Sequence, residues 1–394
     1  MNSALRDSAC PEKELLAYCA RTRVDPASTN RISKLLNGTL AWDYILDQAE
    51  ENSVTPLLSR QLQALASGAV PAPAAERLKD ACRANTIRCL FLTAELTKIF
   101  DLFHSRGIQT IAYKGPALAV QAYGDMTLRE FEDLDIIVRQ SDLSKANEVM
   151  LGLGYRPRFE WIVSSGTPSS LVPGEYNYRD EKRRIMVELH TERTLRHFPE
   201  APNLEDFSKR LVFVKLNDRE IPTFSVEDAL IVLSIHGAKD FWERLSWIAD
   251  ISELVERYGN LDWDVTLRRA ENLGAERMLH IGLLLATLLL DAVIPEKVLH
   301  RLQADVVGNQ VASETLARLM SREYQPLGAS GRFNFRRRML PRAFAGLRYA
   351  TRLSVIPAEE DYDLLQLPGV LSPLYIPLRP LRLLRKYGWN RPRA

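Results

Sequence analysis

Apolar positions recur at helical spacing through the first hundred residues. Ile32, Leu35, Leu36 and Leu40 share one face, and Trp42, Ile45 and Leu46 begin another. Gly68, Pro71 and Pro73 break the pattern, and a long helix is predicted from about Ala74 through Phe103, closing at Gly107 after His104 and Arg106. The period then changes. Strands are predicted at Ile108 to Tyr113, Phe131 to Val138, Tyr155 to Val163 and Ile185 to Glu192, with a short helix from Pro116 to Tyr123. A second helix, capped by Ser141, runs to about Leu151 and is closed by Gly152 and Gly154, and a loop spans Ser164 to Glu175. Leu211 to Leu216 and Ile221 to Phe224 form a hairpin around Asn217 and Asp218. Ser225 caps the next helix, three residues before Asp228.

From there to about Met320 helices dominate. Leu230, Leu233, His236 and Gly237 lie near one face, and Leu245, Ile248, Ile251, Leu254 and Val255 near another. The expected class is α+β: a small mixed-sheet core at 107–224 between a helical N-terminal region at 1–106 and a helical domain at 225–325, followed by an Arg-rich tail at 326–394. The chain of 394 residues is long enough for two or three cores. The most apolar stretch, Ile281 to Val293, is too short to cross a bilayer and contains Asp291, so it reads as a buried helix.

Charge adds little globally, because 52 basic against 50 acidic side chains leave +2 and give no overall argument for nucleic acid or membrane binding. Its distribution is less even. Arg332, Arg336, Arg337, Arg338, Arg342, Arg348 and Arg352 precede Glu359, Glu360 and Asp361, and Arg379, Arg382, Arg385, Lys386, Arg391 and Arg393 close the chain. Such a basic tail would either touch an anionic surface or lie as a solvated face along the protein. Cys10, Cys19, Cys82 and Cys89 have no CxxC spacing and read as free thiols. The opening MNSALRDSACPEKELL has no signal-peptide pattern, so a cytoplasmic protein is expected.

The candidate chemistry begins at Phe131-Glu132-Asp133-Leu134-Asp135-Ile136-Ile137-Val138. Alternation along a strand puts Asp133 and Asp135 on one face while Leu134, Ile136 and Val138 pack on the other. Two carboxylates so placed repel unless a cation compensates them, which makes them candidate ligands for divalent metal. A third ligand must come from another strand. Glu188, charged inside the apolar run Ile185 to Leu189, is the leading candidate, with Glu192 behind it and His190 on the same face. Tyr113-Lys114-Gly115-Pro116 follows a strand and opens a helix, so Lys114 and the Gly115 backbone are placed to meet phosphate. Arg129 either binds a phosphate or pairs with Glu132 or Asp133. His236 and Lys239 share a helix face, Lys239 as a phosphate or acceptor contact and His236 as a core histidine or a base. Trp242 and Trp247 read as packing residues, and Asp250 as a partner of Lys239 or Arg244.

These segments together resemble the nucleotidyltransferase superfamily, most specifically a bacterial family of uncharacterised nucleotidyltransferases. The resemblance is carried by Tyr113 to Leu118, Tyr123-Gly124, Arg129 before Asp133 to Val138, Val187 to His190, Leu233 to Lys239, and the run from Trp242 to Ile251. It implies a DNA polymerase beta-like core, two Mg²⁺ ions on Asp133, Asp135 and Glu188, and phosphate-side roles for Lys114 and Gly115, with Lys114 among the catalytic residues. It also implies transfer of a nucleoside monophosphate from an NTP, ATP first, to a small-molecule or peptide acceptor. The superfamily's usual Gly-Gly or Gly-Ser phosphate loop is Lys114-Gly115 here. A toxin-like enzyme acting on RNA or protein, and a catalytically silent nucleotide-binding scaffold, are the alternatives.

Overall fold

The computed structural model describes residues 10–66, 68–158, 174–191 and 204–340, with parts of 361–388. The first described elements are five helices: α1 (Pro11–Cys19), α2 (Pro26–Leu36), α3 (Trp42–Glu51), α4 (Thr55–Ala66) and α5 (Ala72–Ser105). Pro26 occupies the first turn of α2, and the Asp25 carboxylate accepts from the Ala27 and Ser28 N–H groups, which satisfies donors the helix itself cannot. The predicted face is realised, with Ile32, Leu35, Ile45 and Leu46 all buried. The 34-residue α5 is a cross-member. Leu78 near its start joins the core of the other N-terminal helices, while Leu92, Leu96, Ile99, Phe100 and Phe103 pack beneath the sheet.

Among the described residues, seven strands form one mixed sheet: β1 (Thr110–Ala112), β2 (Asp133–Val138), β3 (Arg156–Pro157), β4 (Glu175–Asp180), β5 (Ile185–His190), β6 (Val212–Leu216) and β7 (Arg219–Thr223). Their spatial order is β3-β4-β5-β2-β1-β7-β6. β2 runs parallel to β5 and β1 parallel to β7; the other pairs are antiparallel. One face buries Leu134, Ile136, Val138, Val187 and Leu189 against α5 and α7 (Leu143–Gly152). Between β1 and β2 lie the single-turn α6 (Gly115–Leu118) and a π-helical turn over Ala119–Tyr123. The expected hairpin is β6–β7, and Asn217 turns it with φ 52°; asparagine tolerates the left-handed region better than most residues.

After α8 (Leu204–Ser208), helices α9 (Val226–Lys239), α10 (Leu245–Arg257), α11 (Trp263–Asn272), α12 (Glu276–Leu290), α13 (Glu296–Ala304), α14 (Val306–Met320) and α15 (Ala329–Arg338) form a second helical body. Ser225 caps α9 as expected, its hydroxyl accepting from the Asp228 N–H. α12 is the expected buried helix, and no helix among the described residues is long and apolar enough to cross a membrane. Leu15, Leu57, Ile137, Leu230, Ile251 and Leu285 belong to one continuous core, so the N-terminal helices and the C-terminal body are packed through a shared interior. The four cysteines are free.

Several expectations change. Ser141 caps nothing: residues 140–142 make a 3₁₀ turn, and α7 starts at Leu143 without a side-chain cap. β4 replaces what read as the end of a loop and an unassigned stretch. Of the predicted strand from Tyr155 only Arg156–Pro157 pairs as a strand among the described residues; residues 159–163, most of the Ser164 to Glu175 loop, Glu192 and the tail arginines Arg342, Arg348, Arg352, Arg391 and Arg393 lie outside the described residues. Part of the tail returns to the body. Tyr375, opening α16 (Tyr375–Gly388), is buried in the sheet-side core, and Arg379 and Arg382 both pair with buried Asp361.

Two predictions test this packing. A Cβ on Gly237 would lie 2.5 Å from the ring of Trp242, which is fully buried. Alanine gains about 1 kcal/mol of helix propensity, but overpacking costs about 1–3 kcal/mol and has no flexible neighbour to absorb it. Gly237→Ala is therefore expected to lower the urea midpoint, whereas a net gain would show that the ring is free to move. His280 is buried in α12, and burial is the main cause of its imidazole sitting down at about 4. A folded value below the unfolded one of about 6.5 means stability falls as pH drops through that window, by about 1 kcal/mol between pH 7.5 and 5.5. The wild-type stability loss across this range should shrink by that amount in His280→Gln.

Candidate active site

The parallel register of β2 on β5 sets Asp135 opposite Glu188 and Asp133 opposite Met186. Because side chains alternate, Asp133, Asp135, Glu188 and His190 emerge on the sheet face that is not covered by α5 and α7. Asp135, Glu188 and His190 each offer a ligand atom within 4.8 Å of the others, and Asp133 lies outside that cluster. His190 therefore stands where Asp133 was expected beside the other two carboxylates. Its Nε2 is 2.9 Å from Asp135 Oδ1 and 3.5 Å from Glu188 Oε2, so that nitrogen carries the hydrogen and donates to Asp135. His190 Nδ1 is buried without a hydrogen-bond partner.

Lys114 completes the charge pattern. Its Nζ lies 3.6 Å from Asp135 Oδ1 and 4.5 Å from the centre of the Tyr113 ring, which in turn meets His190 edge-on at 5.5 Å. Burial alone would raise the Asp135 carboxyl, but the Lys114 ammonium and the His190 hydrogen bond together hold it well below the usual range. The other two carboxylates have weaker compensation. Burial first, and then the Asp135 charge, push Asp133 up to about 6 and Glu188 up to about 8. Burial lowers His190, yet the Asp135 hydrogen bond and the surrounding carboxylates outweigh it and raise the imidazole.

These groups open into a cleft of about 840 Å³. Three regions of the chain wall it: the uncovered sheet face around β2 and β5 with the segment leading into β2, the end of α9 with the start of α10, and the N-terminal helices α3 and α5 with the turn between α3 and α4. Lys239 and His236 both line it, the two residues that share a helix face. His236 is held well below its ordinary value, chiefly by burial and also by the Lys114 and Lys239 charges, and its ring packs edge-on against Trp247 at 5.1 Å. Glu175 also lines the cleft, opposite His190 in the antiparallel β4–β5 pair. Sequence reading passed over it, although the alternation Glu175-Tyr176-Asn177-Tyr178, with both tyrosines buried, carries the strand signal.

Two expected phosphate contacts are placed otherwise. Gly115 is buried and does not line the cleft; with φ 52° it turns the chain beneath β2, where an added Cβ would sit 3.6 Å from the Asp133 carbonyl oxygen. Arg129 lines the cleft, but its fork is taken from behind. Nε and Nη2 donate to Asp250 Oδ1 and Oδ2 at 2.9 and 3.1 Å, and Tyr123 Oη donates to the same Oδ1 at 2.9 Å. Arg129 thus pairs neither with Glu132 nor with Asp133, and Asp250 pairs neither with Lys239 nor with Arg244. Glu132 instead faces Arg88 at 3.6 Å, and Asp125 caps the turn before β2 by accepting from the Thr127 N–H.

A family model described as uncharacterised nucleotidyltransferase matches residues 38–291, a span that holds every group named above. The chain belongs to that family. The matched span begins at Gly38, just after α2, and ends at Asp291, the cap of α12, so the family unit includes the helical walls as well as the sheet. A crystal structure titled as an antigenic nucleotidyltransferase-like protein from Paracoccidioides brasiliensis is similar at 13% identity and a TM-score of 0.30, over 47% of this nucleotidyltransferase-family chain and 88% of the other. Among curated proteins none matches.

The Asp250 site makes a direct test of how the acidic strand is held. Removing one partner of a buried, hydrogen-bonded pair strands the other and costs about 3–5 kcal/mol. Asp250→Ala should lose stability on that scale in urea titration, and Arg129→Lys should lose less while failing to restore the two-pronged contact. Equal stability of Asp250→Ala and wild type would show that the pair does not anchor this region.

Proposed function

We propose that the protein is a Mg²⁺-dependent nucleotidyltransferase that moves a nucleoside monophosphate from an NTP, ATP first, to a small-molecule or peptide acceptor. The observation that carries this reading is the register that brings Asp135 and Glu188 side by side, with Lys114 at 3.6 Å, at the head of a cleft large enough for a nucleotide. The donor chemistry suits a divalent cation. Hard carboxylate oxygens are crowded in a buried place, and burial together with the Asp135 charge holds two of the three acids above their ordinary range.

In this reading Asp133, Asp135 and Glu188 hold the metal, with His190 next to them. Bound cations would supply electrostatic stabilisation of the triphosphate and of the departing pyrophosphate. Lys114, Lys239 and the cleft-facing part of Arg129 contribute fixed positive charge around the phosphates. A bond forms between an acceptor oxygen and the α-phosphorus, the bond from that phosphorus to the pyrophosphate oxygen breaks with its electron pair staying on pyrophosphate, and the acceptor's proton passes to solvent water. His236, neutral and at the cleft wall, is positioned on the side of α9 that the acceptor or triphosphate would meet.

Asp133→Asn and Asp135→Asn should each abolish release of pyrophosphate from ATP, a loss of at least about a thousandfold on the scale of essential electrostatic groups. Both should keep a cooperative melt, and EDTA should abolish the wild-type signal reversibly. NTP-dependent transfer retained in both purified variants would sink the assignment.

A further inference from the structure

Helix α9 ends in a way its sequence does not favour. The Phe241 N–H donates to the Ala238 carbonyl at 3.4 Å and the Trp242 N–H to the Gly237 carbonyl at 2.8 Å, the paired bonds of a Schellman closure. Such a closure needs a left-handed residue after the cap and is usually glycine. Here it is Phe241, at φ 60°, and Trp242 follows at φ 53°; among the described residues they are the one consecutive pair of non-glycine residues with positive φ. Bulky residues persist in this region only where their surroundings over-determine them, and such strain gathers at functional sites. This turn lies in the cleft wall. Lys239 and Asp240 precede it, Glu243 and Arg244 follow it, and all four line the cleft.

What holds the turn comes from far along the chain. Arg318 of α14 donates from Nη2 to the Phe241 carbonyl oxygen at 2.5 Å. From α15, the Arg332 and Arg336 guanidinium carbons lie 5.3 and 5.0 Å from the centre of the Phe241 ring, and Phe335 meets that ring edge-on at 5.4 Å. Both distances are within reach of a cation–π attraction. Trp242 is fully buried and rests against Gly237 and Gly282, so the second left-handed residue is fixed by packing. A glycine after the cap would close the helix without strain and give these arginines nothing to grip. Arg318, Arg332, Phe335 and Arg336 all lie beyond residue 291, where the family-matched span ends. Arg332 and Arg336, which read in the sequence as part of a basic tail, rest on an aromatic ring.

Resting on the nucleotidyltransferase reading, we infer that Arg318, Arg332 and Arg336 are positioning residues for the nucleotide: they hold the strained Phe241–Trp242 turn so that Lys239 meets the NTP phosphates with its charge already fixed in place. A charge ordered before the ligand arrives costs less to use than one that must be ordered on binding. The segment after the family span thus takes a part in this chain's own site.

Calorimetric binding of a nonhydrolysable ATP analogue with Mg²⁺, and amide hydrogen exchange across residues 237–247, test this on the full-length protein. Arg318→Met removes the donor to the Phe241 carbonyl, and Arg336→Met removes one guanidinium from its ring while keeping apolar length. The double variant should exchange faster in the turn, leave exchange in α12 unchanged, and bind the analogue about tenfold more weakly. Arg318→Lys, which can still donate to the carbonyl, should recover most of the affinity in place of Arg318→Met, and Arg337→Met, at an exposed position of the same helix, should change neither readout. Lys239→Ala weakens binding by itself; because the arginines act through Lys239, adding the double change to it should cost less than about twofold more. Unchanged exchange or unchanged affinity in the double variant, or a fully additive loss in the Lys239→Ala background, would overturn the inference. A wild type that binds no analogue would count instead against the nucleotidyltransferase reading, and the exchange result would then decide alone whether the arginines hold the turn.

Discussion

The parallel pairing of β2 with β5 is the constraint on which the candidate site depends. It places Asp135 against Glu188 and, one pleat further along β5, His190 against Asp135. A slip of one residue would send the carboxylates into the apolar layer and Leu134, Ile136, Val187 and Leu189 into the cleft, so the buried face enforces the register of the polar one. The hydrophobic effect here locates charges that would otherwise repel. Lys114 and the His190 N–H offset part of that repulsion, and Asp133 and Glu188 are left with the remainder.

A second constraint acts from behind. The Arg129–Asp250–Tyr123 cluster joins the approach to β2, the turn after α6 and the middle of α10 through buried, charge-assisted hydrogen bonds. It holds the acidic strand to the helical body from the side opposite the cleft. The tie between Asn52 and the start of α10 then brings the N-terminal helices to the same place. The cleft is therefore a junction of three chain regions, and its walls differ in charge because each region supplies its own surface.

Much of this was legible from residue patterns. The change from helical to alternating period near Ile108, the Asp133/Asp135 face, Glu188 inside an apolar run and the Ser225 cap are local signals, and local signals survive translation into structure. β4 was missed because Glu175-Tyr176-Asn177-Tyr178-Arg179-Asp180 mixes polar residues with aromatics, and burial of the two tyrosines depends on the sheet they join. Ser141 misled because a good capping residue was overtaken by a 3₁₀ turn. Arg129 was read against its neighbours in sequence, while its partner lies 121 positions away.

By itself, the amino-acid sequence determined most element types, the sidedness of β2 and β5 and the acidic character of the candidate site, because periodicity and alternation are properties of consecutive residues. Tertiary structure alone decided which groups meet. It brought His190 rather than Asp133 into the tight acidic cluster, drew Arg129 back to Asp250, buried Gly115 beneath β2, and walled the cleft with helices from both ends of the chain. Those outcomes follow from strand register and helix packing between distant segments, where the balance of burial and charge is struck over the whole fold.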